Sequence, residues 1–415
     1  MIQSTGYNRI STYGELLWEH SLWISIATLN FSTALSSVFF GAFALRLLFV
    51  KYSDSSTGNV NKRWFGYWGL LIFLIVIVAS IFKSSSFLSL LGYIQIKLPL
   101  LLVLVAFVFN VQLAPRTSNS WLFYLLPHCW IVTASCIHYF QHWQFYSMMV
   151  LESKPIPMFT QIYHIEYGAL VALSIVMFFD DYFSKRIFAV DRGLGWLIVA
   201  LTMLGLHVLA LRTGLIMLYV GIVLVAAKYS KRSPLPWLRP AILIPVIIGT
   251  FLLLTALLPS VRHRVKNTLE DAVIIVRGGD TNHRSLGQRV EAWRAAFSSI
   301  NSNPGGVGIE GEFAAMMQGY EDTHSQLSVQ HRIGIHNQWL QLGVQGGWLA
   351  MVLTLMWLIR GVFKLPSGYW LIMLMVGLAV ESFLERQSGI LICVLTLLAA
   401  AQEPKEIVPI EEKNR

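Results

Sequence analysis

Charge is what this 415-residue chain has least of: Asp, Glu, Lys and Arg together make up 13% of it, where an ordinary soluble domain holds about 25%. Beside 55% hydrophobic residues, that deficit excludes a soluble globular enzyme. The short alternating segments of a transmembrane β-barrel are also missing. Cysteine is scarce: Cys129, Cys136 and Cys393 all sit in apolar runs, so they read as packing residues without a disulfide framework or metal-ligand spacing. The histidines of the 259–337 stretch form no H-x-x-x-H or H-E-x-x-H arrangement, which leaves a zinc site there without support. No cleavable signal pattern opens the chain, because the apolar stretch continues to about Val50 with no small-residue cleavage site. No internal repeat is visible, which weighs against a transporter built from inverted repeats. The net charge of +9 collects at the ends of apolar runs, a membrane pattern that argues against a nucleic-acid partner.

What is there is a series of apolar runs near the length that crosses a bilayer, and the fold class expected is an all-α polytopic membrane protein. Twelve spans are read, at roughly 14–30, 32–50, 64–82, 98–114, 121–140, 161–179, 194–210, 213–228, 238–258, 338–359, 367–383 and 388–402. Residues 84–96 are expected to form an interfacial helix that leaves Lys97 at the membrane surface, since a charge at the centre is costly. Lys51, Lys62, Arg63, Arg116, Lys185, Arg186, Arg192, Lys228, Lys231, Arg232, Arg239, Arg360, Lys364, Lys405, Lys413 and Arg415 then fall on one side with both termini. The Lys/Arg bias makes that side the cytoplasm.

One long polar stretch, 259–337, falls on the opposite side. It holds eight Lys/Arg, eight Asp/Glu and five His, so its basic residues are not a simple anchoring patch. Three units are expected: 1–258 as a transmembrane bundle, 259–337 as a large outer loop domain, and 338–415 as the last spans with a short tail.

The loop ends in His336-Asn337, where a membrane helix begins. Free amides at a helix start suit a phosphate or oxyanion, and the same positive end keeps an imidazole neutral and able to accept a proton. The alternative is a capping histidine with no chemistry. Gly343, Gly347 and Ala350 share one face of that helix and read as close helix packing. Arg212, in Leu-Arg-Thr-Gly between two apolar runs, either holds a diphosphate through forked hydrogen bonds or snorkels to headgroups. Ser285 and Gln288 fit a capping box. In the helix they open, Val290, Trp293, Phe297 and Ile300 form an apolar stripe with Arg289 at its edge, turned towards a cavity. Asn303-Pro-Gly-Gly-Val-Gly308 is a turn. His324, His331 and Arg332 are candidate sugar or phosphate contacts. Glu381, Glu385 and Arg386 bracket the last outer turn and pair either with one another or with the arginines. His128, His138, His164 and His207 read as packed polar residues.

Three features together resemble the O-antigen ligase and O-antigen polymerase superfamily, with its related protein O-oligosaccharyltransferases. They are His336-Asn337 followed after nine residues by Gly347; Arg289-x-x-x-Trp293 followed by Asn303-Pro304-x-Gly306-x-Gly308; and Arg212 in Leu-Arg-Thr-Gly. The closest likeness is to the ligases. The chain departs from the pattern at Ala350, where a second glycine is usual, and at Gln345-Gly346, where a carboxylate often stands, so no role of that carboxylate carries over.

The resemblance implies a fold similar to the GT-C membrane glycosyltransferases. It implies transfer of a glycan from undecaprenyl diphosphate to an acceptor hydroxyl, without cofactor or metal, at the periplasmic face of the bacterial inner membrane. His336 would be the catalytic base or acceptor-orienting residue, and Arg212 and Arg289 would bind the diphosphate. Asn337, Arg332, His331, Glu381 and Arg386 would support them. The implied partners are the lipid-linked glycan donor, membrane lipids, and a lipid A-core or other glycan acceptor. Within this class a polymerase or a protein transferase remains open, and outside it a glycolipid flippase. The short 141–160 connection favours a ligase, because polymerases often show two sizeable outer loops.

Overall fold

A computed structural model describes residues 21–49, 60–83, 87–110, 120–152, 154–184, 192–230 and 239–402. The first expected span, 14–30, lies only partly within them, and Lys51, Arg116, Lys185, Arg186, Lys231, Arg232, Lys405, Lys413 and Arg415 lie outside. The described residues form helices joined by turns, with no strand among them. Five helices are long and apolar enough to cross a membrane: Val60–Lys83, Leu88–Val108, Trp121–Gln141, Arg212–Ser230 and Gln338–Lys364. Ala241–Leu257 and Pro259–Arg277 form a pair bent by 104°. Thr33–Leu45, Gly193–Val208, Tyr369–Val380 and Gln387–Ala401 are shorter apolar helices, and His164–Phe183 joins the bundle while carrying Glu166, Asp180 and Asp181.

Two glycines fix which helix ends come together. A Cβ on Gly214 would lie 2.4 Å from the carbonyl oxygen of Gly168, so the His164–Phe183 and Arg212–Ser230 helices touch backbone to backbone, as small residues allow in a membrane. Both contacts fall in the first turns of their helices, which places His164, Glu166 and Arg212 at one end of the bundle.

The polar stretch is itself helical: Pro259–Arg277, Ser285–Ser302 and Gly308–Asp322. The second of these departs from expectation in two ways. Its N-cap is Arg284, without a side-chain cap, and Gln288 donates instead to the Asn282 carbonyl; the Ser285–Gln288 capping box does not form. Its buried face is made of Ala292, Ala295, Ala296, Ser299 and Ile300, while Phe297 is 45% exposed. Small side chains win that face because the Gly308–Asp322 helix packs closely there.

The interfacial helix expected at 84–96 is not separate. One helix runs Phe87–Val108, with residues 84–86 outside the description. Lys97 lies in its middle, 2% exposed, with Nζ 3.3 Å from Glu385 Oε2 and 4.3 Å from the Tyr93 ring centroid. A charge so placed is tolerated because it is paired and shielded, not because it reaches a surface.

Candidate active site

Gly347 explains how the two glycine-bearing motifs work together. It has φ +76° and ψ −176°, a break inside the Gln338–Lys364 helix. The Asn303–Gly308 turn plugs that break: Trp348 N donates to the Pro304 carbonyl (3.1 Å) and Val307 N to the Val344 carbonyl (2.9 Å). A Cβ on Gly347 would lie 2.1 Å from the Pro304 oxygen, and one on Gly306 2.5 Å from the Gln345 oxygen. Gly347 is therefore a docking notch for the loop and not a plain helix-packing glycine, and its left-handed φ requires glycine.

The notch anchors the loop at one end; hydrogen bonds hold the other. Trp293 Nε1 donates to the Ile335 carbonyl (3.0 Å) and Tyr320 Oη to the Ile333 carbonyl (2.9 Å). Asn337 Nδ2 donates to the Ala379 carbonyl (3.0 Å). Between these tethers His336 is held at φ +45°, a left-handed conformation costing a β-carbon residue of order 1–3 kcal/mol. Asn337 caps the following helix, its Oδ1 accepting from Trp339 N and Leu340 N. The amides expected to receive an anion are thus already occupied, and the helix start is not an open phosphate site.

What sets the state of His336 is a carboxylate. Its Nδ1 is 2.9 Å and 3.1 Å from the two carboxylate oxygens of Glu381. An ionised carboxylate only accepts, so Nδ1 donates, and Nε2 is the nitrogen turned away from Glu381. The same carboxylate lies 3.7 Å from Arg289 Nη2, and Arg289 Nη1 donates to the Val380 carbonyl (2.9 Å).

Glu381 can stand there because the helices around it are short. Tyr369–Val380 has 12 residues and Gln387–Ala401 has 15, about 18 and 22 Å at 1.5 Å per residue, against roughly 30 Å of hydrocarbon. The turn between them is sunk among protein groups that satisfy it, as irregular backbone at that depth requires. Leu384 N donates to Gln338 Oε1 (2.7 Å) and Ser382 Oγ to Gln341 Oε1 (3.3 Å).

Glu381, Glu385 and Arg386 do not pair with one another. Glu381 takes His336 and Arg289, Glu385 takes Lys97, and Arg386 takes Glu166 at 3.3 Å. Arg386 also lies over the Tyr163 ring at 4.2 Å. Arg212 donates to Thr268 Oγ1 (3.2 Å) and meets no carboxylate at ion-pair distance among the described residues. It feels the like charge of Arg289, and Arg264 feels that of Arg212. His164 senses Arg264, Glu381, Arg289 and Arg212 together. Arg212, Arg289, His336, Glu381 and, at the edge, Arg386 are therefore one electrostatic neighbourhood.

His331 and Arg332 stand apart from it. His331 bonds Ser328 Oγ (2.7 Å) and packs on the His283 ring at 4.4 Å; Arg332 lies 3.6 Å from Glu321 and over Tyr320. They bind the polar stretch to itself. Arg264, His164 and Glu166 belong to the neighbourhood and were not singled out as site residues. Glu166, a lone carboxylate just inside an apolar run and fully buried, carried a readable signal. Arg264 did not, flanked as it is by Arg262 and Lys266. A second polar column runs beneath: Gln338, Gln341 and Gln345, all buried, face Glu385, Ser382 and Glu312, with Gln345 Nε2 donating to Glu312 Oε2 (2.8 Å). Burial and the charge of Glu385 push Glu312 up to about 7.

A multi-pass helical bundle gathers arginines, a strained histidine and a buried carboxylate at one end, a set of groups suited to an anionic ligand. Residues 196–355 match the family model described as O-antigen ligase. The match supports membership of the O-antigen ligase superfamily, and with it a membrane enzyme of the ligase and polymerase type. It spans Arg212, Arg264, Arg289, His336 and Gly347, and stops short of Glu381. No curated protein matches the chain.

Proposed function

We propose that the protein transfers a glycan from undecaprenyl diphosphate to an acceptor hydroxyl, with a lipid A-core sugar as acceptor, at the periplasmic face of the inner membrane. The observation that carries this reading is the Arg289–Glu381–His336 chain beside Arg212, which makes no ion pair among the described residues. In this account the shorter apolar helices complete a twelve-span, GT-C-like bundle, with 1–258 and 338–415 as its membrane parts and 259–337 as the outer domain.

The chemistry follows from the geometry. The acceptor hydroxyl forms the new bond to the anomeric carbon as the bond from that carbon to the diphosphate oxygen breaks. The hydroxyl proton passes to His336 Nε2, and Glu381 stabilises the resulting imidazolium through Nδ1–H, the role an orienting carboxylate has beside a catalytic histidine. The diphosphate leaves with the bonding pair. Its growing charge is met by Arg212 and Arg289, with Arg264 alongside, guanidiniums held in place before the reaction and partly shielded from water. No metal is needed for that charge stabilisation, and chelator-insensitive activity is expected.

The test is transfer by purified protein from a carrier-linked glycan to lipid A-core, read on gels. Transfer to the core supports the reading. Extension of the carrier-linked glycan identifies a polymerase, modification of added protein a protein transferase, and movement of glycolipid across vesicles without transfer a flippase. A His336→Ala variant with full transfer activity removes the catalytic assignment.

A further inference from the structure

Glu381 and His336 meet although nothing local fixes their separation. They lie 45 residues apart, and both stand outside regular helix: His336 at φ +45°, and Glu381 at φ −154° just past the end of the Tyr369–Val380 helix. Helical regularity therefore sets neither position. Side chains do, and they come from one source, the first turn of the Gln338–Lys364 helix with its cap. Asn337 Nδ2 donates to the Ala379 carbonyl (3.0 Å), two residues before Glu381. Gln341 Oε1 accepts from Ser382 Oγ (3.3 Å), one residue after it. Gln338 Oε1 accepts from Leu384 N (2.7 Å), three residues after it, and Gln338 Nε2 donates to Glu385 Oε1 (3.4 Å).

Gln338 has the tightest place in this set. It is the second residue after His336 and fully buried, and its bond to Leu384 closes a short ring of chain through the His336–Glu381 contact. Its residue type is dictated by what it faces. A backbone N–H only donates and a carboxylate paired with lysine only accepts, so a side chain between Leu384 and Glu385 has to accept at one end and donate at the other. An amide does both. A glutamate would set a second carboxylate against Glu385, and an apolar side chain would leave the buried Leu384 amide without its partner. Glu385 is held from its far side in turn, its Oε2 lying 3.3 Å from Lys97 Nζ in the middle of the Phe87–Val108 helix. The turn that carries Glu381 is thus clamped between the helix start beside His336 and a lysine on another helix.

We propose that Gln338 is a positioning residue for the transfer: by tying the 381–385 turn to the helix that begins beside His336, it holds the Glu381 carboxylate against His336 Nδ1. This rests on the reaction proposed above, in which Glu381 stabilises the imidazolium. Gln338 acts through Glu381 and not on the substrate. Its effect is geometric, because a carboxylate displaced by about 1 Å no longer meets Nδ1–H squarely when charge develops on the ring. Satisfying buried backbone does not by itself account for the pattern. The bonds all leave from residues next to His336, and they land on both sides of Glu381.

The experiment measures transfer by the purified full-length protein, with kcat expressed per undecaprenyl-diphosphate-binding site so that loss of folded protein does not count. Gln338→Met should lower kcat by about 10–100-fold with the donor KM unchanged. Gln338→Glu should do the same, and adding Glu385→Gln to it should restore kcat. The swap keeps an acceptor for Leu384 N, a donor facing a carboxylate, and the net charge beside Lys97. An unchanged kcat in Gln338→Met, a donor KM that rises in step with the loss, or a swap that recovers thermal stability without kcat overturns the proposal. A second measurement needs no catalysis. The rate at which diethyl pyrocarbonate modifies His336, read by mass spectrometry with the exposed His324 as reference, should change in Gln338→Met in the same direction as in Glu381→Gln. A wild-type rate at His336 in Gln338→Met also overturns it. If Gln338→Met does not fold, Gln338→Glu and its swap carry both measurements. Wild-type protein without transfer activity instead removes the reaction proposed above, and the labelling then decides whether Gln338 sets the Glu381–His336 contact.

Discussion

The two ends of the bundle both bury charge, but they treat it differently. At the end away from the loop, Asp180 accepts from Lys228 Nζ (2.8 Å), Tyr229 Oη (3.0 Å) and Tyr369 Oη (2.7 Å), and Asp181 accepts from Tyr124 Oη (2.7 Å). Acid and base meet, and hydroxyls fill the remaining lone pairs. Such a knot ties the His164–Phe183, Arg212–Ser230 and Tyr369–Val380 helices together and is complete without a ligand. At the loop end, like charges outnumber their partners: Arg212 feels Arg289 and Arg264 against Asp271, and Glu381 is shared between His336 and Arg289. Guanidiniums held against their own repulsion make sense where an anion arrives to relieve it. A satisfied cluster is structural; an electrostatically overfilled one waits for substrate.

That contrast can be broken by substitutions, beginning with the largest expected effect. His336→Ala should lower kcat by about 10²–10⁴-fold, the usual contribution of a positioned base, and leave donor binding near wild type, while loss of the Glu381 contact costs about 1–3 kcal/mol of stability, as steady-state kinetics and a melting scan would show. Lys97→Met should act on stability. It leaves the Glu385 carboxylate, 26% exposed, without its cation, at a cost of about 1–3 kcal/mol, and pairing it with Glu385→Gln should recover most of the loss in a denaturant titration. Arg212→Ala should weaken donor binding by about 10–100-fold, the range for a lost charge-assisted hydrogen bond, with Arg212→Lys recovering only part because the fork is gone. Tyr369→Phe, at the satisfied end, should cost about 1 kcal/mol of stability with kcat and KM unchanged; a fall in kcat there would erase the distinction between the ends.

A pH-dependent effect concerns Glu312. Its folded value of about 7 lies above the ordinary carboxyl range, so the folded state binds the proton more tightly than the unfolded one. Stability from this group is fully present below the unfolded value near 4.3 and is lost as pH rises through about 7. Melting temperature should therefore fall between pH 5 and pH 8, and Glu312→Gln should flatten that fall while leaving the pH 5 value unchanged.

The sequence was most legible where short motifs meet apolar runs. His336 and Arg212 stand out because a polar residue at the edge of a membrane helix is costly and conspicuous, and Arg289 because it borders an apolar stripe on a helix of the polar stretch; the three share one electrostatic neighbourhood. What spacing could not show was partnership across long separations. Glu381 and His336 are 45 residues apart and Lys97 and Glu385 are 288 apart, so their pairing depends on how the helices pack. Lys97 was expected at a surface for the same reason: its partner is invisible to local reading. Gly347 read as a packing glycine because three small residues share a helical face, whereas a positive φ is a backbone property with no periodic signature. His331 and Arg332 attracted notice by closeness in sequence to His336, but the Tyr320 and Trp293 hydrogen bonds draw the chain out between them and leave the two pointing into the loop domain.

The division of labour between guanidinium and imidazole is tested most directly by titrating undecaprenyl diphosphate into wild-type protein, Arg212→Ala and His336→Ala. Wild-type affinity in the histidine variant, with a loss of about tenfold or more in the arginine variant, is the predicted result. Equal loss in both, or undiminished binding without Arg212, contradicts a pocket in which the arginines grip the diphosphate and the histidine serves the acceptor.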